Sequence, residues 1–177
     1  MGHFVFSMVL AISVIFPLGE TVVGDPFVIV NKKTNQVAFI RQGRIDKVLP
    51  VATGKDNKLT PEGTFTIVVK AVDPYYRKKN IAGGDKQNPL GTRWIGFDAE
   101  DTDGRIYGLH GTNRPSSIGK YVTAGCVRLQ NEEIEKLFNE IPIGTKILIT
   151  TSSNSFEELG IRAGALSKPK IEGAVVN

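Results

Sequence analysis

The sequence is poor in the side chains that bind metals and form disulfides. Its 177 residues include one cysteine, Cys126, and two histidines, His3 and His110. A single thiol excludes an internal disulfide. A zinc centre usually takes several histidine and cysteine ligands, and this chain would have to supply carboxylates in their place. We therefore expect neither a metal nor any other cofactor.

Motifs of nucleotide and nucleic-acid binding are also missing. The chain has no GxxxxGK[ST] or GxGxxG segment, the glycine-rich patterns that bind nucleotide phosphates. Its net charge of +4 is mild, and it has no arginine-rich stripe interleaved with aromatic residues, which a nucleic-acid site would need. We expect no nucleic-acid partner. The small positive excess suits an anionic wall polymer or a membrane surface.

One long uncharged run stands near the N-terminus. The sequence FVFSMVLAISVIFPLG fills residues 4–19. It is a little short for a bilayer-spanning helix of about 20 residues. It fits the apolar region of a secretory signal better, although the usual basic lead-in is missing. We interpret residues 1–24 as a signal peptide or an N-terminal membrane anchor, with a buried element of the folded domain as the alternative.

A signal or anchor predicts export to the cell envelope. The protein would then act in the cell wall or on the outer face of the cytoplasmic membrane, with membrane contact through residues 1–24 if they are retained. Export also changes the interpretation of Cys126, because a lone thiol in an exported protein pairs with another molecule or is reactive. A buried structural cysteine remains the alternative.

Residues 25–150 predict a mainly β domain. Nineteen glycines and nine prolines indicate many turns. Strand patterns rich in β-branched residues cover the segments 27–30, 36–41, 45–51, 64–72, 92–99, 105–111 and 145–150. The segments 92–99 and 105–111 flank a glycine-containing turn and predict a hairpin, so that His110 ends a strand. The long polar loop at 73–91 is of a kind that is usually functional or mobile.

One prominent helix is predicted near residues 131–141. Its apolar positions recur at helical spacing, namely Ile134, Leu137, Phe138 and Ile141. Asn131 is placed to cap the first turn. Residues 151–177 are more polar and predict a loosely held C-terminal tail, in which Ser155 and Glu158 can cap a short helix.

Cys126 and His110 form a candidate catalytic pair. A free thiol has a pKa near 8.5 and gives little nucleophilic thiolate at neutral pH, but an imidazole at hydrogen-bond distance can take its proton. If the N-terminal segment is removed, His110 is the only histidine left. A strand, a loop and a returning strand would bring the two side chains together. The alternative is a structural thiol beside a structural imidazole.

The residues around the thiol fit chemistry at this position. Gly125 permits unusual backbone geometry and close approach of a substrate. Backbone N–H groups beside a nucleophile are natural donors to an oxyanion. Arg128 shares a strand face with Cys126, about 6–7 Å along the chain, where it can bind a carboxylate bidentately. An ordinary surface salt bridge is the alternative for Arg128.

The segment HGTNRPSSIGKYVTAGCVRL, residues 110–129, resembles the catalytic signature of the bacterial L,D-transpeptidase domain. That signature is a histidine, a spacer, a serine or threonine, a variable position, Gly-Cys, and a following arginine or asparagine. TPEGTF at 60–65 resembles the TPxGxF turn of the family. VIVNKKTNQVAFIRQGRI and VATGK resemble its opening hairpin and the segment after it. The resemblance covers residues 27–150 and implies a sandwich-like catalytic domain.

The resemblance implies an enzyme that cross-links peptidoglycan stem peptides in the cell wall. In that family the cysteine attacks the L,D bond of a tetrapeptide donor stem and releases D-alanine. An amine of an acceptor stem then resolves the acyl-enzyme and forms a 3-3 cross-link. The family also implies that a carbapenem acylates the cysteine.

The resemblance assigns roles to individual residues. Cys126 is implied as the nucleophile and His110 as the base, and the carbonyl of Gly111 would orient the imidazole in place of an aspartate. The N–H groups of Gly125 and Cys126 would form the oxyanion hole. Contacts to the donor are implied for Arg128 and Thr123. The groove would be lined by Thr112, Asn113, Tyr107 and Trp94.

Two departures and two alternatives accompany the resemblance. Many members carry a histidine where this chain has Ala124, and we expect no separate wall-binding module beside the catalytic domain. An L,D-carboxypeptidase, in which water resolves the acyl-enzyme, fits the same residues. A non-catalytic wall-binding protein with a degenerate site is the second alternative, and the intact His110, Gly125, Cys126 and Arg128 argue against it.

Overall fold

The computed structural model describes residues 21–169, which form ten strands and two helices. The strands are β1 (Phe27–Asn31), β2 (Gln36–Arg41), β3 (Arg44–Pro50), β4 (Thr53–Gly54), β5 (Gly63–Val72), β6 (Arg93–Phe97), β7 (Tyr107–His110), β8 (Tyr121–Thr123), β9 (Val127–Arg128) and β10 (Lys146–Thr150). The helices are α1 (Asn131–Glu140) and α2 (Phe156–Arg162). Single 3-10 turns lie at Arg77–Lys79, Ala99–Asp101 and Pro115–Ser117. The mainly β fold with a prominent helix near 131–141 is confirmed.

Eight strands form one curled sheet in the order β3-β2-β1-β10-β5-β6-β7-β9, and β4 pairs with β8 in a second, two-stranded sheet. In the large sheet, β1 pairs with β10 and β7 pairs with β9 in parallel, while the other neighbours are antiparallel. The predicted hairpin is the β6–β7 pair. Because β9 joins the sheet beside β7, the segment between them returns the chain to the strand that ends at His110.

Two hydrophobic cores lie on opposite faces of β1 and β2. Both strands carry uninterrupted buried residues, which is typical of strands covered on both faces. The larger core packs α1 against the sheet and includes Phe39, Phe97 and Leu129. The smaller core packs the region of α2 against the outer face and includes Phe27 and Ile40. The larger core therefore fixes the strands β6, β7 and β9.

The predicted apolar face of α1 is confirmed, but the predicted cap is wrong. Ile134 and Leu137 are fully buried in the larger core. Gln130 occupies the N-cap position of the helix, but its side chain makes no capping hydrogen bond. Asn131 is instead the first helical residue, and its side chain is used elsewhere. Helix α1 therefore depends on packing rather than on a capping side chain.

The segment after β10 is packed, contrary to the expectation of a loosely held tail. Ser155 and Glu158 form the expected capping box, with the Glu158 carboxylate 2.8 Å from the Ser155 N–H and the Ser155 hydroxyl 3.2 Å from the Glu158 N–H. Leu159, Ala165 and Leu166 are buried in the smaller core. Apolar residues alternate with polar ones from Phe156 to Leu166, so the polar composition of the segment as a whole did not predict this contact.

The proposed signal or anchor lies outside the described residues, except for its last four positions. Residues 170–177 also lie outside them. Within residues 21–169, no helix is long and apolar enough to cross a membrane.

Candidate active site

The pairing of β6, β7 and β9 collects the predicted catalytic residues on one face of the sheet. Trp94 pairs with His110, and His110 pairs with Arg128. If the parallel pairing of β7 with β9 is extended by one residue toward the N-terminus, Cys126, which directly precedes β9, lies beside Gly108. Since alternate residues of a strand share a face, Cys126 and His110 occupy diagonal positions on adjoining strands. The structure therefore brings the nucleophile candidate and the base candidate together.

Cys126 is half-buried and carries the described chain's free thiol. Its sulfur donates a hydrogen bond to the carbonyl of Ile106 at 3.3 Å. Burial raises the pKa of the thiol to about 11, against the lowering effects of the Gly108 N–H and the cations of Lys78 and Arg128. The resting thiol is therefore protonated at neutral pH and is hydrogen-bonded to the start of β7.

His110 is held as a neutral base. It is 4% exposed, and its Nδ1 lies 2.6 Å from the carbonyl oxygen of Gly111. A carbonyl only accepts, so Nδ1 carries the proton and Nε2 keeps its lone pair. Burial lowers the pKa of His110 to about 4, against the hydrogen bond to Gly111. The resting pair is a neutral thiol and a neutral imidazole, rather than the thiolate–imidazolium pair that thiol chemistry led us to expect.

The indole of Trp94 stacks on the imidazole because two glycines leave room for it. The ring centroids are 5.7 Å apart with an interplanar angle of 18°, and the indole Nε1 donates to the carbonyl of Gly104 at 2.8 Å. A Cβ on Gly108 would lie 2.7 Å from the indole, and one on Gly96 would lie 1.8 Å from the Gly104 oxygen. These glycines therefore fix the aromatic wall beside His110.

A tight turn presents Cys126. Gly125 has a φ of +133°, and a Cβ there would lie 2.4 Å from the carbonyl oxygen of Leu59. Thr123 donates its hydroxyl to the Cys126 carbonyl at 2.7 Å and accepts from the Gly125 N–H at 3.2 Å. Thr123 is 4% exposed and braces the turn through these two bonds, and its expected contact with the donor stays a prediction. The Gly125 N–H, an expected oxyanion donor, is engaged by this hydroxyl.

A buried lysine supports the loop behind the turn. Lys32 has a side chain that is 3% exposed and forms an ion pair with Glu62 at 2.9 Å. Its Nζ donates to the carbonyls of Asn57 at 2.6 Å and Thr60 at 2.9 Å. These bonds fix the loop that holds the Leu59 carbonyl against Gly125. The sequence does not indicate this role, because the segment around Lys32 predicts a simple turn.

A cavity of about 630 Å³ opens over the thiol. Its apolar wall comes largely from β5, β6 and the β6–β7 connection, and the 73–91 loop overhangs it. Besides Cys126, the lining includes Val69, Leu90, Trp94, Ile106, Tyr76 and Lys78. The size and apolar character are typical of a site for a small molecule or peptide segment.

A second groove of about 460 Å³ is lined by Arg128. Arg114, Lys120, Asn113 and Ser117 also line it, and no carboxylate does. Arg128 donates to the Ser117 hydroxyl at 3.0 Å, and burial, with the nearby Arg114, lowers its pKa. None of the ion pairs between described side chains includes Arg128. The salt-bridge alternative is therefore wrong, and the groove suits an anion.

Two residues expected to line the groove support neighbouring segments instead. Tyr107 donates its hydroxyl to Glu100 at 2.7 Å, and its ring stacks on Phe97. Thr112 is 3% exposed, and its hydroxyl accepts from the Arg114 N–H at 2.9 Å. Within residues 21–169, no group of three or more histidine, cysteine, aspartate or glutamate side chains is placed to hold a metal ion.

Comparisons with known proteins identify the family of this chain. The model of the YkuD family, described as the L,D-transpeptidase catalytic domain, matches residues 25–149. YqjB of Bacillus subtilis, named as an L,D-transpeptidase, is 57% identical over 169 residues, which cover 95% of this chain and 96% of that protein.

Two solved structures show the same fold at low sequence identity. An L,D-transpeptidase from Stackebrandtia nassauensis has a TM-score of 0.57 at 20% identity, and the match covers 80% of this chain and 63% of that chain. L,D-transpeptidase 3 from Mycobacterium tuberculosis, in complex with a faropenem-derived adduct, has a TM-score of 0.56 at 16% identity. The match covers 71% of this chain and 60% of that chain. The match to the family model spans most of this chain, from the start of β1 to the end of β10. The chain therefore belongs to the YkuD family of L,D-transpeptidase catalytic domains and is an enzyme of that class.

Proposed function

We propose that this enzyme forms 3-3 cross-links between peptidoglycan stem peptides through an acyl-enzyme on Cys126. The observation that carries the proposal is the arrangement of His110. Its Nδ1 is bound to the Gly111 carbonyl, which leaves Nε2 as the acceptor on the sheet face that also carries the thiol. A base with its lone pair free beside a nucleophile is the requirement for this chemistry.

The reaction starts from the neutral pair. At pH 7 a thiol with a pKa of about 11 is ionised in roughly one molecule in ten thousand. The proton therefore leaves Sγ for Nε2 of His110 as sulfur bonds to the carbonyl carbon of the L,D peptide bond. The Cys126 N–H receives the developing oxyanion, and the Gly125 N–H joins it on leaving the Thr123 hydroxyl.

The later steps give the proton to the departing amine, and then carry a proton from the acceptor amine through His110 to the departing thiolate. Collapse of the tetrahedral adduct breaks the C–N bond, and the imidazolium gives its proton to the departing amine of D-alanine. The acceptor amine then attacks the thioester and passes its proton to His110. Breaking the C–S bond restores the Cys126 thiol and leaves the new amide between two stems.

The second groove, which is lined by Arg114, Lys120 and Arg128, supports a donor that ends in a carboxylate. The carboxylate of the terminal D-alanine lies directly beyond the scissile bond, and Arg128 is two residues from Cys126. Arg114 and Lys120 add two further cations with no lining acid to neutralise them. Charge-assisted hydrogen bonds to such a carboxylate are strong. A donor with a C-terminal carboxamide should therefore react more slowly than the free acid.

The substrate also gives the N-terminal segment a role in the proposal. Peptidoglycan stems lie outside the cytoplasmic membrane, and the apolar run at residues 4–19 fits a secretory signal or an anchor. The protein would then work in the cell envelope. N-terminal sequencing of the protein recovered from the wall fraction tests whether the run is removed.

Acylation by a β-lactam-type probe tests the nucleophile. Faropenem is suitable, because a relative of the same fold carries a faropenem-derived adduct, and a carbapenem provides a second probe. Intact mass spectrometry should show one adduct on the wild type and none on Cys126→Ala. No adduct on either protein would contradict the proposal and favour a non-catalytic wall-binding role.

The products then separate transpeptidation from hydrolysis. A tetrapeptide stem with an acceptor stem should yield the cross-linked dimer and free D-alanine. Release of D-alanine with a tripeptide as the sole peptide product, even at high acceptor concentration, would identify an L,D-carboxypeptidase.

A further inference from the structure

The side chain of Asn131 joins two backbone segments instead of capping helix α1. Its Oδ1 accepts hydrogen bonds from the N–H of Thr112 at 2.9 Å and from the N–H of Thr92 at 3.3 Å. A Cβ on Gly111 would lie 2.1 Å from this oxygen, and one on Gly91 would lie 2.2 Å from it. Both glycines are therefore needed for the Asn131 oxygen to occupy this position.

One of these segments carries the carbonyl that orients His110. The Gly111 carbonyl accepts a hydrogen bond from Nδ1 at 2.6 Å. The Gly111 carbonyl and the Thr112 N–H belong to one planar peptide group. Fixing that N–H therefore fixes the direction of the carbonyl at the other side of the plane.

We propose that Asn131 is a positioning residue for the catalytic base. By holding the Gly111–Thr112 peptide, its side-chain oxygen keeps His110 in the tautomer whose Nε2 can take the Cys126 proton. The inference rests on the proposed function for its catalytic consequence, whereas the effect on the tautomer is independent of any reaction.

The need for such a residue follows from the partner that His110 has. In many enzymes a carboxylate orients the histidine, and its charge attracts the ring N–H over a range of directions. A peptide carbonyl is neutral, so the hydrogen bond is strong only when the carbonyl is aimed at the ring. Partners that orient the histidine ligands of metal sites change activity by about 10-fold to 100-fold when they are removed, and we expect a similar range for Asn131.

Asn31 provides a matched control for the chemistry of Asn131. It is 3% exposed, and its Oδ1 also accepts two backbone N–H groups, those of Lys33 at 3.1 Å and Ser152 at 3.3 Å. These bonds join β1 to the segment after β10 and involve neither His110 nor Cys126. Asn131→Ala and Asn31→Ala each remove an amide oxygen that accepts two backbone N–H groups. Asn31→Ala also removes the bond from Nδ2 to the Ser152 carbonyl at 3.0 Å, so its loss of thermal stability should be at least as large.

The direct test is the tautomer of His110 by nitrogen-15 NMR of the histidine-labelled full chain. The His110 signals are identified by their loss in His110→Gln. Wild type and Asn31→Ala should show a protonated Nδ1 and an unprotonated Nε2. Asn131→Ala should show a mixture of both tautomers, and Asn131→Asp, which keeps an acceptor oxygen, should restore the wild-type pattern. If Asn131→Ala does not fold, Asn131→Ser, whose oxygen is one bond shorter, gives the same comparison.

Acylation by faropenem gives the catalytic readout. We expect the rate constant to fall about 10-fold to 100-fold in Asn131→Ala, to stay near wild type in Asn31→Ala, and to recover in Asn131→Asp. An unchanged tautomer in Asn131→Ala, or an equal shift in Asn31→Ala, would overturn the inference. A wild type that forms no adduct but shows the predicted tautomers would contradict the proposed function alone.

Discussion

His110 and Cys126 lie on the same face of the sheet, but the molecule holds them in different ways. His110 lies within the sheet, is buried beneath Trp94, and is fixed by the carbonyl of Gly111. Cys126 lies on a turn just outside the sheet, where Thr123 and the Leu59 carbonyl determine its position. The base is thus set in one tautomer by rigid surroundings, while the nucleophile is presented by local turn geometry.

Both groups nevertheless rest in their neutral forms. Burial disfavours imidazolium and thiolate alike, and at Cys126 it outweighs the nearby cations of Lys78 and Arg128. Neither group depends on the other for its resting state, and the proton moves only when a substrate carbonyl arrives. The two sides should therefore respond differently to mutation: changes on the base side alter the tautomer and the proton transfer, whereas changes on the nucleophile side alter the position of the thiol and of the oxyanion donors.

The largest expected effect comes from removing the base. His110→Gln keeps an N–H for the Gly111 carbonyl but has no basic nitrogen at the Nε2 position. The rate of faropenem acylation should fall about 100-fold to 10,000-fold, the usual range for general base catalysis. Stopped-flow fluorescence or timed mass spectrometry measures it. A loss smaller than 10-fold would show that the thiol ionises without His110.

The next largest effect is expected on the nucleophile side, from Gly125→Ala. The new Cβ would meet the Leu59 carbonyl at 2.4 Å, and alanine is strained at a φ of +133°. We expect acylation to fall by about 100-fold, the cost of disrupting an oxyanion donor, with a lower melting temperature. Gly144→Ala is the control, because its φ of +92° is also positive but nothing lies within 4 Å of its Cβ. Equal acylation losses in both variants would mean that backbone strain alone, rather than the Leu59 contact, is responsible.

The buried imidazole makes the stability of the protein depend on pH. The pKa of His110 is about 4 in the folded protein, against 6.5 for a free histidine side chain, so between these values the unfolded chain binds more protons. Stability contributed by neutral His110 is therefore complete above about pH 6.5 and is lost as the pH falls toward 4, by roughly 3 kcal/mol. Urea unfolding of wild type and His110→Gln measures this. Parallel pH profiles for the two proteins would contradict it.

The smallest expected effect tests the support behind the turn. Lys32→Met keeps the apolar stem but leaves the carbonyls of Asn57 and Thr60 without their donor. The free energy of unfolding should drop by about 1–3 kcal/mol, the cost of unsatisfied buried polar groups, and acylation should slow as the Leu59 carbonyl shifts. Lys33→Met is the control, since Lys33 is exposed and donates to the Ser153 hydroxyl. A stability loss without any change in acylation would show that the loop does not position Cys126.

The sequence predicted the elements that depend on local pattern. The β-branched runs of β1, β2 and β5 and the helical spacing of Ile134 and Leu137 are local signals, and the structure confirms the strands and the helix they predict. The order of the strands in the sheet could not be predicted in this way. Strand β10 inserts between β1 and β5, and no local pattern encodes the contacts that place it there.

The residues of the site also fall into those that the sequence predicts and those that it does not. Cys126 and His110 were identifiable because the chain offers so few residues able to do thiol chemistry. Asn131 and Lys32 were not, because each acts through backbone groups far away in sequence, and their local surroundings predict a helix cap and a turn. The clue that was available is the pair of glycines at 91 and 111, which make sense only once the Asn131 oxygen lies between them.

The central claim is that Cys126 and His110 act together on the donor stem. Its most direct test is to mix the enzyme with a tetrapeptide stem without acceptor and follow both the protein mass and free D-alanine. We predict a transient mass increase equal to the tripeptide acyl group on the wild type. The same adduct should form much more slowly on His110→Gln and should not form on Cys126→Ala. D-alanine release by Cys126→Ala, or an adduct that forms at the wild-type rate in His110→Gln, would contradict it.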